Sequence, residues 1–168
     1  MKIILFFILS CSTLFGINLE SIEAKFTQNI NNSDGDITYS GILLATTKPS
    51  NKAYWKYDNP FKKEILIKNN QVTFYEPHLN QAIISNNIKL DFINIINSAE
   101  EGENGLISKI NDIIFHIELK DNKPYKITYK DELDNDITII LDNIKINHKI
   151  NDNMFKINMS QDTDIIYE

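Results

Sequence analysis

Apolar and polar side chains alternate along most of this chain in short runs, among them "GILLATT", "AYWKY", "EILIK", "QVTFY", "DIIFHIELK", "YKITYK" and "DITIIL". Period-two alternation marks strands with one buried face. Turn signals separate the runs at Asp34-Gly35, Pro49-Ser50-Asn51, Asp58-Asn59-Pro60, Asn69-Asn70, Pro77 to Asn80, Asp121-Asn122 and Asp134-Asn135. That spacing is too short for βαβ units and predicts an antiparallel meander. Two stretches read differently. Leu19, Ile22 and Phe26 fall at helical spacing, with Glu20, Glu23 and Lys25 on the other side, and predict a short amphipathic helix over 19–27. "IKLDFINIINSAEE", 88–101, sets Phe92, Ile93 and Ile96 on one helical face, and the "EEGENG" after it predicts a loop.

Antiparallel pairing must bring apolar residues face to face, and this fixes register. A two-residue turn at Asn69-Asn70 sets Ile67 opposite Val72 and Ile65 opposite Phe74. A loop centred on Pro49 to Asn51 sets Leu43 opposite Trp55 and Gly41 opposite Tyr57, a large ring across a residue without a side chain. Around Asp121-Asn122 an even loop would oppose Ile117 to Lys126. An odd loop opposes Ile117 to Ile127 and Phe115 to Tyr129, so the pattern predicts the odd one. The same parity across "DELDN" pairs Ile127 with Ile139 and Tyr129 with Ile137. The shared apolar face holds Ile113, Phe115, Ile117, Leu119, Tyr125, Ile127, Tyr129, Ile137, Ile139 and Leu141, and the opposite face is polar.

About nine to eleven strands at ~4.8 Å each make a sheet on the order of 45 Å wide, and two short helices ~10 Å across cover less than half of one face. A bare apolar face of that size is not tolerated in a soluble monomer. The expected fold is therefore mainly β (α+β), an incomplete antiparallel barrel whose curled sheet is covered on its open, apolar inner face by short helices, leaving a cavity. The inner surface is expected to include Leu43, Trp55, Tyr57, Ile65, Phe74, Phe92, Ile96, Phe115, Ile117, Ile127 and Ile139.

Composition narrows the function. The 168 residues suit one domain, and 17 basic against 23 acidic residues give a net charge of −6, no footprint for nucleic acid. The first sixteen residues, with Lys2, an apolar run from Ile3 to Leu9 and then small and polar residues, read as a secretory signal peptide cut after Gly16. The run Ile8-Leu9-Ser10-Cys11 is a degenerate lipidation motif and leaves a membrane anchor at Cys11 as the alternative. The expected mature part is then a single domain, 17–168, and a monomer. The three histidines, His78, His116 and His148, lack metal-ligand spacing, and Asp131 to Asp136 does not match a calcium loop. No nucleophile motif or phosphate-cradling loop is present, which argues against an enzyme, a metal site and a cofactor.

The order of parts carries a resemblance: "FTQ" at 26–28, "GILLATTKP" at 41–49, "WKYDNP" at 55–60, "NNQVTFYEPHLNQA" at 69–82 and "MFKINMSQDTDIIYE" at 154–168. Over essentially the whole mature chain it resembles the periplasmic outer-membrane lipoprotein carrier family, LolA. The resemblance implies an incomplete barrel lidded by helices that holds the acyl chains of lipoproteins. It also implies that they are received from an inner-membrane ABC-type release complex and handed to an outer-membrane acceptor, within the periplasm. The family's arginine before the strand-turn proline, associated with lid closure and transfer, matches Lys48, which keeps the charge without the planar fork. A membrane-anchored acceptor, or a barrel for a small hydrophobic ligand, stays open as the alternative.

Overall fold

The computed structural model describes residues 17–33, 35–86 and 91–168. The signal-peptide and Cys11 readings lie outside these residues, as do Asp34 and the first turn of the expected second helix. The alternating runs form twelve strands of one sheet: β1 Ser21–Asn32, β2 Gly35–Thr46, β3 Lys52–Asn59, β4 Lys63–Lys68, β5 Gln71–Glu76, β6 Gln81–Ser85, β7 Glu100–Gly102, β8 Gly105–Ile110, β9 Ile113–Lys120, β10 Lys123–Lys130, β11 Asp136–Ile146 and β12 Asp164–Tyr167. The order across the sheet is β12-β6-β5-β4-β3-β2-β1-β11-β10-β9-β8-β7, so β12 and β7 are its edges and the barrel is open between them. Every neighbouring pair is antiparallel except β12 on β6, which is parallel. The mainly β, curled and incomplete barrel is the fold expected, with one helix on its inner face in place of two.

The registers argued from turn parity are those of the fold. Leu43 opposes Trp55 and Gly41 opposes Tyr57; Ile65 opposes Phe74 and Ile67 opposes Val72; Ile127 opposes both Ile117 and Ile139. Asn69 and Asn70 both take positive φ, 56° and 58°, as a primed hairpin turn requires. Near Asp121-Asn122 the parity is right but its origin is not an odd loop. Lys123 pairs with Lys120 across a two-residue turn, and a bulge between Pro124 and Lys126 supplies the extra residue. Pro124 is consequently the fully buried residue there and Tyr125 only half-buried.

Residues 19–27 are not a helix. Ser21 onward is β1, central between β2 and β11, with Ile22, Ala24 and Phe26 buried and Lys25 exposed. Leu19, Ile22 and Phe26 satisfy helical spacing, but small Ala24 completes an equally good period of two, and pairing on both sides decides for the strand. The second predicted helix shortens to α1, Phe92–Asn97, capped by Asp91, whose carboxylate accepts from the Asn94 amide at 3.1 Å. Glu100–Gly102 in the expected loop pairs with β8 as β7.

The inner face packs into one core in which Phe26, Leu43, Phe115, Ile117, Ile127 and Leu141 meet α1. Gly41 sits across from a bulge in β3, where Asp58 is the extra residue, and a Cβ at Gly41 would lie 1.9 Å from the Lys56 carbonyl oxygen and 3.0 Å from the ring of Phe26. The missing side chain is what lets Phe26 lie edge-on against Trp55 and Tyr57, at 5.0 and 4.9 Å between centroids.

After β11 the chain crosses the opposite, convex face of β3–β6. Ile157 joins Tyr75 and Ala82 in a second cluster, flanked by Tyr54 and Leu66, and Phe155 is 2% exposed. Lys52 and Lys68 stand directly opposite each other on β3 and β4. Asp152 of the crossing segment relieves that like-charge contact by pairing with both, with Lys68 at 3.8 Å, while the buried Lys52 ammonium also lies 5.9 Å from the Phe155 ring centroid.

Candidate ligand-binding cavity

Between the curled inner face and α1 lies a cavity of about 420 Å³. Its wall on one side comes from β3, β4 and β5, with Trp55, Tyr57, Ile65, Ile67, Val72 and Phe74. On the other it comes from β9, β10 and β11, with Phe115, Ile127, Tyr129 and Ile139. Phe92 and Ile95 of α1 form the roof, and Phe92 meets Trp55 edge-on at 5.6 Å. The chain's single tryptophan is thus wall, seated between a strand residue and the helix.

Eight of the residues expected on the inner surface line this cavity: Trp55, Tyr57, Ile65, Phe74, Phe92, Phe115, Ile127 and Ile139. Leu43, Ile96 and Ile117 are instead sealed in the core behind the lining, at 0–1% exposure. Ile67 and Val72 lie on the apolar hairpin face read from the sequence, and Tyr129 on the apolar face of β10, so a signal for them existed. Gln28, Ser85 and Glu168 also line it, and their polar side chains gave none.

The lining is apolar at its centre and polar at both ends: Ser85, paired with Val72, and Glu168, whose amide donates to the Ile84 carbonyl, stand at one, and Gln28 with Tyr57 at the other. There the Tyr57 hydroxyl donates to Gln28 Oε1 at 3.0 Å, and the Tyr39 ring stands perpendicular to that of Tyr57 at 5.7 Å. Lys63, directly across from Tyr57 in the β3–β4 pair, holds its ammonium 4.3 Å from the Tyr57 centroid and 5.1 Å from that of Tyr39. Burial holds the Lys63 ammonium below the ordinary lysine range, offset in part by the charge of Glu76. Burial likewise raises the Tyr57 hydroxyl well above the usual phenol range and pushes Tyr129 up to about 12. Such a lining solvates a hydrocarbon chain along its middle and offers polar groups at its two ends.

The roof is tied down at both ends by polar contacts. At the start of α1, Asn51 of the β2–β3 loop donates to Asp91 Oδ2 at 3.4 Å. At its end the Asn97 side chain accepts from the Leu19 amide at 2.7 Å and donates to the Leu19 carbonyl at 2.9 Å, and Ser98 meets Ser108 at 2.9 Å. Lys48, in the same loop as Asn51, pairs with Glu20 Oε1 at 2.6 Å, an exposed ion pair. Asp131 closes its own turn, accepting from the Leu133 and Asn135 amides and the Asn135 side chain. His78 and His116 are exposed, and His148 Nε2 meets Glu23 at 3.1 Å. Among the described residues no helix is long and apolar enough to cross a membrane.

Residues 17–96 match the family model described as outer membrane lipoprotein carrier protein LolA. The chain is 34% identical to the outer-membrane lipoprotein carrier protein of Campylobacter jejuni over 98% of each chain. To that of Helicobacter hepaticus it is 36% identical over 98% of this chain and 94% of the relative. Its fold is similar to a crystal structure of a LolA superfamily protein from Nitrosomonas europaea, with TM-score 0.55 at 12% identity over 83% of this chain and 91% of that one.

Proposed function

The chain belongs to the outer-membrane lipoprotein carrier family, and from that premise we propose that it is a periplasmic carrier that shields the acyl chains of lipoproteins in the cavity beneath α1 on their way to the outer membrane. The apolar cavity between Trp55, Phe74, Phe115 and Phe92 is the observation that carries this reading. A methylene group is close in size to a water molecule at about 30 Å³, so 420 Å³ holds roughly fourteen of them, about one acyl chain. At ~0.8 kcal/mol per methylene, such a chain gains ~11 kcal/mol on leaving water. A lipoprotein with two or three chains needs a larger space, so carrying it requires α1 to lift from the sheet. A six-residue helix held by a few polar contacts suits that movement.

The donor in this reading is an inner-membrane ABC-type release complex and the recipient an outer-membrane acceptor. Lys48, through its loop neighbour Asn51 and their contacts with Asp91 and Glu20, contributes to closing the lid. Purified protein, incubated with membranes containing a triacylated lipoprotein and the release complex, is expected to draw that lipoprotein into the soluble fraction as a one-to-one complex on gel filtration. Trp55→Glu or Phe115→Glu abolishes the complex while the variants keep a cooperative melt. A wild-type protein that leaves all lipoprotein in the membrane refutes the reading.

A further inference from the structure

The cavity wall has a direction. Across β3, β4 and β5 its inner face rises in three rungs, Tyr57 with Lys63, then Trp55 with Ile65 and Phe74, then Ala53 with Ile67 and Val72. Successive same-face rungs lie ~7 Å apart, so the wall runs ~14 Å from the Tyr57 end over apolar side chains to Val72, where Ser85 and Glu168 close the far end. At the Tyr57 end, beside the lining rather than part of it, stands a cation that the folded chain leaves incompletely satisfied. Lys63 carries three N–H donors. Among the described residues its ammonium forms no ion pair and no hydrogen bond, and its neighbours are the faces of Tyr39 and Tyr57. Ring faces offset part of the cost of taking an ammonium out of water, but they offer no oxygen. Gln28 beside it has its carbonyl engaged by Tyr57, which leaves its amide as a second donor at the same end.

We propose that Lys63 is the head-group anchor of the cavity: its ammonium donates to the carbonyl or carboxylate oxygen at the head of a bound acyl chain, whose methylenes then run over Ile65 and Phe74 toward Val72. This rests on the cavity being the acyl-chain site. Its consequence is selectivity for carbonyl-headed chains over chains with a cationic head. Glu76 is the charged neighbour on the adjoining strand, and the net charge of −6 favours cationic amphiphiles everywhere else on the molecule. A preference for an anionic head therefore has to come from the site.

Three probes, an alkyl carboxylate, its methyl ester and the corresponding alkyl trimethylammonium, each at two matched chain lengths, are titrated below their micelle concentrations against the fluorescence of Trp55. A charge-assisted hydrogen bond predicts that wild type binds the carboxylate at least about tenfold more tightly than the trimethylammonium probe. In Lys63→Met the ratio falls toward one while the gain in affinity per added methylene is unchanged, and in Lys63→Arg the preference persists. A Met variant whose ratio stays within about twofold of wild type overturns the proposal. Binding of all three probes without head-group preference overturns the anchor alone. Failure of every probe to move Trp55 overturns the acyl-chain cavity and the anchor with it.

Discussion

Removing the Asn97 side chain is the sharpest test of how the roof is held. Asn97 replaces the missing strand partner of Leu19, engaging both its amide and its carbonyl, and Leu19 itself is 1% exposed. Two side-chain-to-backbone hydrogen bonds at ~1 kcal/mol each give Asn97→Ala a cost of ~2 kcal/mol, charged to the closed position of α1 because the strands keep all their own pairings. That raises the open population of the lid about 30-fold. Native-state hydrogen exchange reads it at the two amides that define the helix, Ile95, bonded to the Asp91 carbonyl, and Ser98, bonded to that of Asn94. Their protection is expected to fall by that factor, with β1 and β2 unchanged. Lys48→Ala is the control: its ion pair with Glu20 is exposed at both partners and worth at most ~1 kcal/mol, hence less than about fivefold. Equal effects of the two substitutions, or a loss of protection spread over β1 and β2, would refute the assignment of Asn97 as the principal tie.

Two further predictions concern the walls. Gly41→Ala forces β3 away from β2, because the Lys56 carbonyl 1.9 Å from the new Cβ is backbone and cannot swing aside; a loss of ~3 kcal/mol or more in urea denaturation is expected, and a loss below ~1 kcal/mol would show that the bulge absorbs the methyl group. Burial raises the hydroxyls of Tyr54, Tyr57 and Tyr129 above the ordinary value of 10, Tyr129 to about 12. The folded state keeps these protons longer than the unfolded chain, so stability is complete below pH 10 and falls as pH rises through about 12, by on the order of 3 kcal/mol at Tyr129. An absorbance titration should show these three of the seven tyrosines ionising only as the protein unfolds, and ordinary ionisation of all seven in the native protein would contradict it.

Most of the sheet was legible because turn parity and apolar pattern constrain each other. Once Asn69-Asn70 is a two-residue turn, no freedom remains at Ile65 or Ile67. The same logic placed Ile127 between Ile117 and Ile139, although a bulge at Tyr125 rather than the loop carries the odd residue, and sequence does not distinguish the two. β1 was misread because Ile22 and Phe26 fit a helical face with Leu19 and a strand face with Ala24, and only pairing with β2 and β11 separates the two. β12 was illegible for a different reason. Ile165, Ile166 and Tyr167 remain exposed at 39–73%, so no burial pattern announces it, and its backbone pairing with β6 is what orders it. Of the cavity, the apolar rungs could be read from alternation, whereas the caged Lys63 depends on Tyr39, a residue two strands away.

The segment that crosses the convex face after β11 makes the two walls of the cavity mechanically unequal. β3 to β6 carry packed side chains on both faces, the core inside and Ile157 with Tyr75 and Ala82 outside, whereas the outward side chains of β9, His116 and Glu118 among them, meet solvent. A sheet clamped on both faces resists bending, while one wetted on a single face can flatten without breaking contacts. The strapped wall is therefore the fixed jaw that sets the position of Trp55 and Lys63, and swelling around a bulkier guest falls to β8 to β10 as the compliant jaw.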